Sequence, residues 1–201
     1  MNLENFIDDL ASKSPAPGGG AASSLFGTLG CALSAMVCCL TEGRKKYVDN
    51  EEFVKVQHEK LSQLQKELQD LMDEDVNAFM QISAAYKLPK ETEEEKVARS
   101  VAIQEALIPA TETPFKMMQL SAKALDITKS LLGKTNTQAV SDLGCAALGL
   151  KAAIQGAWLN VSINISSAKN KPVELETEAK EILSKYLPLA DDIYNKVLES
   201  L

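Results

Sequence analysis

The stretch Gly18-Gly19-Gly20-Ala21-Ala22-Ser23-Ser24-Leu25-Phe26-Gly27-Thr28-Leu29-Gly30-Cys31-Ala32-Leu33-Ser34-Ala35-Met36-Val37-Cys38-Cys39-Leu40-Thr41 carries no charge. It is long enough to be tested as a membrane span. Ser23, Ser24, Thr28, Ser34 and Thr41 interrupt it, glycine and alanine dominate, and no basic cluster precedes it as in a signal peptide. It is therefore expected to be a buried helix of a soluble, cytoplasmic protein. A heptad ruler traces Gly20, Ser24, Gly27, Cys31, Ser34, Cys38 and Thr41 down one side, all small, with Ala22, Leu25, Leu29, Met36 and Leu40 on the other. Ahead of it, Ser14-Pro15-Ala16-Pro17 stiffens the approach, and Gly18, Gly19 and Gly20 let a ligand touch the backbone beside a helix N-terminus. Those glycines are either a ligand seat or a tight loop before a core helix.

The rest of the chain is helical in pattern. Met1 to Lys13 is a short amphipathic helix with Leu3, Phe6, Ile7 and Leu10 on one side. The first long helix is expected from Gly20 to about Gly43, and a second from near Asn50 to Tyr86. Leu88-Pro89-Lys90 ends that helix, and Thr92-Glu93-Glu94-Glu95 resembles a capping box for a third running toward Leu107. Pro109 and Pro114 predict a kink or break before a segment from Phe115 to Leu132. Thr137 to Ser167 and Val173 to Leu201 complete the pattern. Strand signals are discounted, and no internal repeat or linker divides the 201 residues. The expected fold is all-α, a single-domain bundle of long antiparallel helices, dimeric because so much small and apolar helical surface needs cover.

Net charge of −7 disfavours nucleic acid as a partner. Arg44-Lys45-Lys46 is a local basic patch that would suit a small anion or complement a helix C-terminus. Cys31, Cys38, Cys39 and Cys145 lack the paired spacing of a zinc site and are expected to be reduced core thiols. His58, the single histidine, is expected on the solvated surface beside the leucine stripe.

That stripe supplies the sharpest candidate. Leu61, Leu64, Leu68 and Leu71 occupy successive core positions, and the next step lands on Asp75, followed by Ala78 and Ile82. A carboxylate there must be paired, solvated in a cavity or protonated, and desolvation raises its pKa toward the range useful for general acid–base catalysis. The alternative is a rim residue paired to a neighbouring helix. Along the fifth segment the ruler traces Asp142, Ala146, Gly149, Ala153, Gly156 and Asn160, with Asn164 one turn on. Close packing explains the small residues but not Asp142, Asn160 and Asn164, since buried polar groups need partners. The two asparagines share one side of a helix, where their amides can read a heterocycle edge.

Pro17-Gly18-Gly19-Gly20, Met36…Thr41-Glu42-Gly43-Arg44-Lys45-Lys46-Tyr47, Asp73-Glu74-Asp75-Val76-Asn77-Ala78-Phe79, Leu88-Pro89-Lys90, Ser141-Asp142-Leu143 and Ala157-Trp158-Leu159-Asn160-Val161-Ser162-Ile163-Asn164 together resemble the cyclodeaminase/cyclohydrolase family. These are stand-alone proteins similar to the C-terminal domain of formiminotransferase-cyclodeaminase. The resemblance implies an all-helical homodimer and a tetrahydrofolate derivative as substrate, with no prosthetic group or metal. It leaves room for a formiminotransferase partner. Its members close formiminotetrahydrofolate to methenyltetrahydrofolate with loss of ammonia, or interconvert methenyl- and formyltetrahydrofolate with water; cyclodeamination is placed first and hydrolysis second. A folate-binding scaffold without chemistry is a third alternative. The catalytic aspartate implied by the resemblance is carried to Asp75, which lies on the stripe, with Asp73 as the alternative. Relatives often follow the glycines with Ser-Val where this chain has Ala21-Ala22, so Ser23 is the candidate for the missing hydroxyl. Arg44, Lys45 or Lys46, from either subunit, are candidates to hold the anionic folate tail.

Overall fold

A computed structural model describes residues 2–201. Met1, counted above in the first helix, lies outside the described residues. The elements are α1 (Leu3–Leu10), α2 (Gly19–Cys39), a 3-10 turn (Lys45–Asn50), α3 (Glu51–Tyr86), α4 (Glu93–Leu131), a second 3-10 turn (Thr137–Ala139), α5 (Val140–Ser167) and α6 (Val173–Glu199). No strand occurs among the described residues. Short connections make successive long helices antiparallel. Gly43 and Gly133 take positive φ in the turns after α2 and α4, where a side chain would strain the backbone.

By length and composition α2 alone, among the described residues, would suit a bilayer, yet its small face is buried between α3 and α5. The hydroxyls that interrupt it are satisfied inside the bundle. Ser24 donates to the Leu68 carbonyl, Ser34 pairs with Thr128 at 2.8 Å, and Thr41 both donates to the Val37 carbonyl and accepts from the Asn136 N–H. α2 meets α5 where glycines replace side chains. A Cβ on Gly30 would lie 2.6 Å from Leu150 Cγ, and one on Gly149 would lie 3.2 Å from the Phe26 carbonyl oxygen. Gly30→Ala is therefore expected to destabilise the protein by about 1–3 kcal/mol, the usual scale of overpacking, as a lowered denaturation midpoint.

Leu61, Leu64, Leu68 and Leu71 are buried on α3, as the ruler requires. Thr92 and Glu95 form the expected capping box, with Glu95 N–H donating to Thr92 Oγ1 and Thr92 N–H to Glu95 Oε2. Of the kink or break expected at the prolines, the break does not occur: α4 runs on through Pro109 and Pro114. The physical reason lies partly in α5. Pro114 has no N–H to offer the Ala110 carbonyl, and the Asn164 side-chain amide donates to that carbonyl at 2.6 Å instead.

The cysteines divide in two. Cys31 and Cys38 are buried, and burial pushes both thiols up to about 12. Cys39 and Cys145 are exposed, which corrects their assignment to the core, because they fall on the outward faces of α2 and α5. His58 is half-buried rather than free in solvent, with Nε2 3.3 Å from Cys39 Sγ and Nδ1 3.4 Å from Glu42 Oε1.

Candidate functional site

The three glycines, the carboxylate on the leucine stripe and the two asparagines of α5 converge on one cavity of about 330 Å³. Gly18, Gly19 and Gly20 form its edge at the start of α2. Asp75, Phe79, Ile82 and Tyr86 come from α3, Leu107 and Ala110 from α4, and Asn160, Ile163 and Asn164 from α5. Its size lies in the range of small-molecule sites, and apolar side chains dominate the walls, as such sites require.

Asp75 sits against the N-terminal backbone of α2. A Cβ on Gly20 would overlap its carboxylate, so the third glycine is the space in which that group lies. Burial pushes the Asp75 carboxyl above its ordinary value, while the Ala21 backbone N–H pulls in the other direction. The outcome is a carboxyl held at a helix N-terminus, half-buried, with its proton affinity raised. No lysine or arginine lines the cavity among the described residues. Gly19 faces Asn160, whose Nδ2 would stand 3.6 Å from a Cβ there.

Both asparagines are anchored through their amide nitrogens. Asn160 donates to the Gly156 carbonyl at 2.9 Å, and Asn164 to the Ala110 carbonyl left open by Pro114. Each keeps its amide oxygen available as an acceptor. The aromatic rings of Phe79 and Tyr86 provide flat apolar surface for a planar heterocycle.

The other candidates lie elsewhere. Ser23 is buried, donates to the Gly19 carbonyl at 2.6 Å and packs on Gly156, so it braces the contact between α2 and α5 without lining the cavity. Arg44, Lys45 and Lys46 are exposed beyond the far end of α2, about 30 Å along the bundle from Gly19. Asp142, in the first turn of α5, is likewise about 27 Å along that helix from Asn160. Asp73 is exposed and borders a different groove, between α1 and α3. Phe79 and Tyr86 were not singled out from the sequence; their helical spacing from Asp75, beside Ile82, is the signal that could have found them. Leu107 and Ala110 carried no sequence signal, because only the packing of α4 brings them in. Among the described residues, no three His, Cys, Asp or Glu side chains gather as metal ligands would.

Comparison with known proteins bears on the family and the fold. The family model described as formiminotransferase-cyclodeaminase matches residues 2–181. A methenyltetrahydrofolate cyclohydrolase of Methylorubrum extorquens is 39% identical over 197 residues, covering 97% of this chain and 95% of that protein. The formimidoyltransferase-cyclodeaminase of Mus musculus is 32% identical over 164 residues, 82% of this chain but 30% of that longer protein. The crystal structure of formiminotetrahydrofolate cyclodeaminase from Thermotoga maritima superposes with a TM-score of 0.82 at 27% identity, covering 100% of this chain and 96% of that one. The all-helical fold, the run of matching blocks and these similarities lead to one conclusion: the chain belongs to the formiminotransferase-cyclodeaminase family.

Proposed function

We propose that this protein is a cytoplasmic enzyme acting on the one-carbon bridge between N5 and N10 of a tetrahydrofolate, with Asp75 as the proton-transferring group. The observation that carries this is the cavity itself: one half-buried carboxyl of raised proton affinity, two anchored asparagines and, among the described residues, no lysine or arginine. A methenyl bridge is a cation, and an ionised Asp75 offers it the complementary charge.

Hydrolysis is the leading activity, because similarity at 39% extends over nearly the full length of a relative named methenyltetrahydrofolate cyclohydrolase. Water adds to the methenyl carbon and gives one proton to Asp75. The carbinol hydroxyl then gives up its proton as the carbon–oxygen double bond forms, and the bond from that carbon to N5 breaks, its electron pair going to N5, which takes up a proton. The formyl group stays on N10, and one proton is released overall. Cyclodeamination is the second reading, favoured by the close superposition on the Thermotoga maritima cyclodeaminase. There N10 attacks the formimino carbon, and protonation of the resulting amine lets ammonia leave. Either route passes through a tetrahedral carbon and needs one group that holds and returns a proton. The length of the Mus musculus relative is consistent with a formiminotransferase acting beside this protein as a partner.

The test offers purified protein 5,10-methenyltetrahydrofolate and, separately, 5-formiminotetrahydrofolate, following methenyl absorbance and ammonia. Loss of absorbance with the first substrate is the expected result. A rise with ammonia release from the second would put cyclodeamination first, and turnover of neither would leave a folate-binding scaffold.

A further inference from the structure

Cys39, His58 and Glu42 stand in a line where α2 ends. His58, on α3, turns Nε2 toward Cys39 Sγ at 3.3 Å and Nδ1 toward Glu42 Oε1 at 3.4 Å. That is the order of nucleophile, base and orienting carboxylate in an activated thiol site. The three residues come from α2, the turn after it and α3, so packing between helices assembles them. Cys39 is exposed, and its sulfur can be reached from solvent. Glu42 Oε1, by contrast, is buried and has no hydrogen-bond partner among the described residues. A proton passed from Cys39 to His58 makes the ring a cation and gives that buried oxygen a charged donor to face. The line lies about 30 Å along α2 from Gly19, so it is separate from the cavity and from the function proposed for it.

Acyl transfer does not suit these residues. α2 ends at Cys39, where a helix presents carbonyl groups rather than free N–H groups. The nearby Gly43 N–H already donates to Glu51 Oε2 at 2.9 Å. An oxyanion formed at Cys39 would lack the backbone donors such chemistry uses. Thiol–disulfide exchange forms no oxyanion and needs only an accessible sulfur and a group to take its proton.

We propose that Cys39 is a thiol-exchange site, activated by His58 and Glu42, which takes a small disulfide and becomes reversibly S-thiolated. Cys39 gives its proton to His58 Nε2, and its sulfur attacks one sulfur of the disulfide. A new S–S bond forms as the old one breaks, the electron pair leaving on the departing sulfur. That thiolate takes the proton back from His58 and leaves as a thiol. Cys39 is oxidised and half of the disulfide is reduced. Cys31 and Cys38, buried and pushed up to about 12, take no part.

Oxidised glutathione is the probe, with the four cysteines followed over time by mass mapping. The expected product carries one glutathionyl group on Cys39, added at least about tenfold faster than on Cys145, the other exposed cysteine. Dithiothreitol should remove it. Equal rates at Cys39 and Cys145 overturn the proposal. His58→Gln has no ring nitrogen to take the proton and should bring Cys39 down to the rate of Cys145; a parental rate in that variant overturns the role of His58. Glu42→Gln should slow Cys39 less than His58→Gln does, and an unchanged rate removes Glu42 from the site. Iodoacetamide gives an independent reading of thiol reactivity. Fast alkylation of Cys39 without glutathionylation overturns the assignment to disulfides. The comparison of two cysteines within the parent decides the proposal even where a variant unfolds, which labelling of Cys31 and Cys38 would reveal.

Discussion

Asp75→Asn is expected to lower turnover by about 10²–10⁴-fold, the usual scale for losing a general acid–base group, while folding and folate binding survive. The amide keeps the shape of the side chain and its fit against Gly20 but cannot take up and return a proton. Steady-state kinetics with methenyltetrahydrofolate, set beside a binding titration, separate the two effects. Near-parental turnover would remove Asp75 from the mechanism. The same variant carries a stability signature. Because folding raises the Asp75 pKa above its usual 3.8, the folded state holds that proton more tightly than the unfolded chain does. The group's contribution to stability is then fully present below the unfolded value and is lost as pH rises through the raised one. Asparagine suffers no such loss. The variant should melt at least as high as the parent at pH 7, with any advantage vanishing in acid.

Gly20→Ala carries the second large effect. The new methyl group would occupy the place of the Asp75 carboxylate, which must swing away from the start of α2. A displacement of about 1 Å in a reacting group costs on the order of 10²-fold in rate. We expect kcat to fall by that order while circular dichroism shows the parental helix content. Retention of parental kcat would mean that the carboxyl works equally well from elsewhere in the cavity.

Much of this site is legible in the amino-acid sequence. Asp75 stands out because a leucine stripe sets up an expectation that one residue violates, and Asn160 and Asn164 stand out on a face otherwise made of alanine and glycine. Both signals are local, confined to a single helix. What sequence does not convey is distance between helices. Arg44, Lys45, Lys46 and Asp142 share or adjoin helices with true cavity residues but sit at the other end of the bundle, and composition does not measure that separation. Ser23 has the right chemistry, yet its hydroxyl is drawn back to the Gly19 carbonyl by the helix itself. Cysteine packs as readily on an outer apolar face as in a core, so Cys39 and Cys145 give no sign of their exposure. The unbroken course of α4 is hidden for a related reason. The group that replaces the hydrogen bond lost at Pro114 comes from Asn164, in a different helix.

That last contact bears on how this protein could be improved as a reagent. Helix-propensity rules would single out Pro114 for replacement, since proline costs about 3 kcal/mol relative to alanine in an ordinary helix interior. Here the proline keeps the Ala110 carbonyl vacant for an asparagine of the cavity wall. An alanine would return the backbone bond to α4 and leave Asn164 competing for its anchor. Thermostability and ligand recognition therefore pull on the same carbonyl oxygen, and a stabilisation campaign that ranked positions helix by helix would harden the scaffold while loosening the wall that reads the ligand.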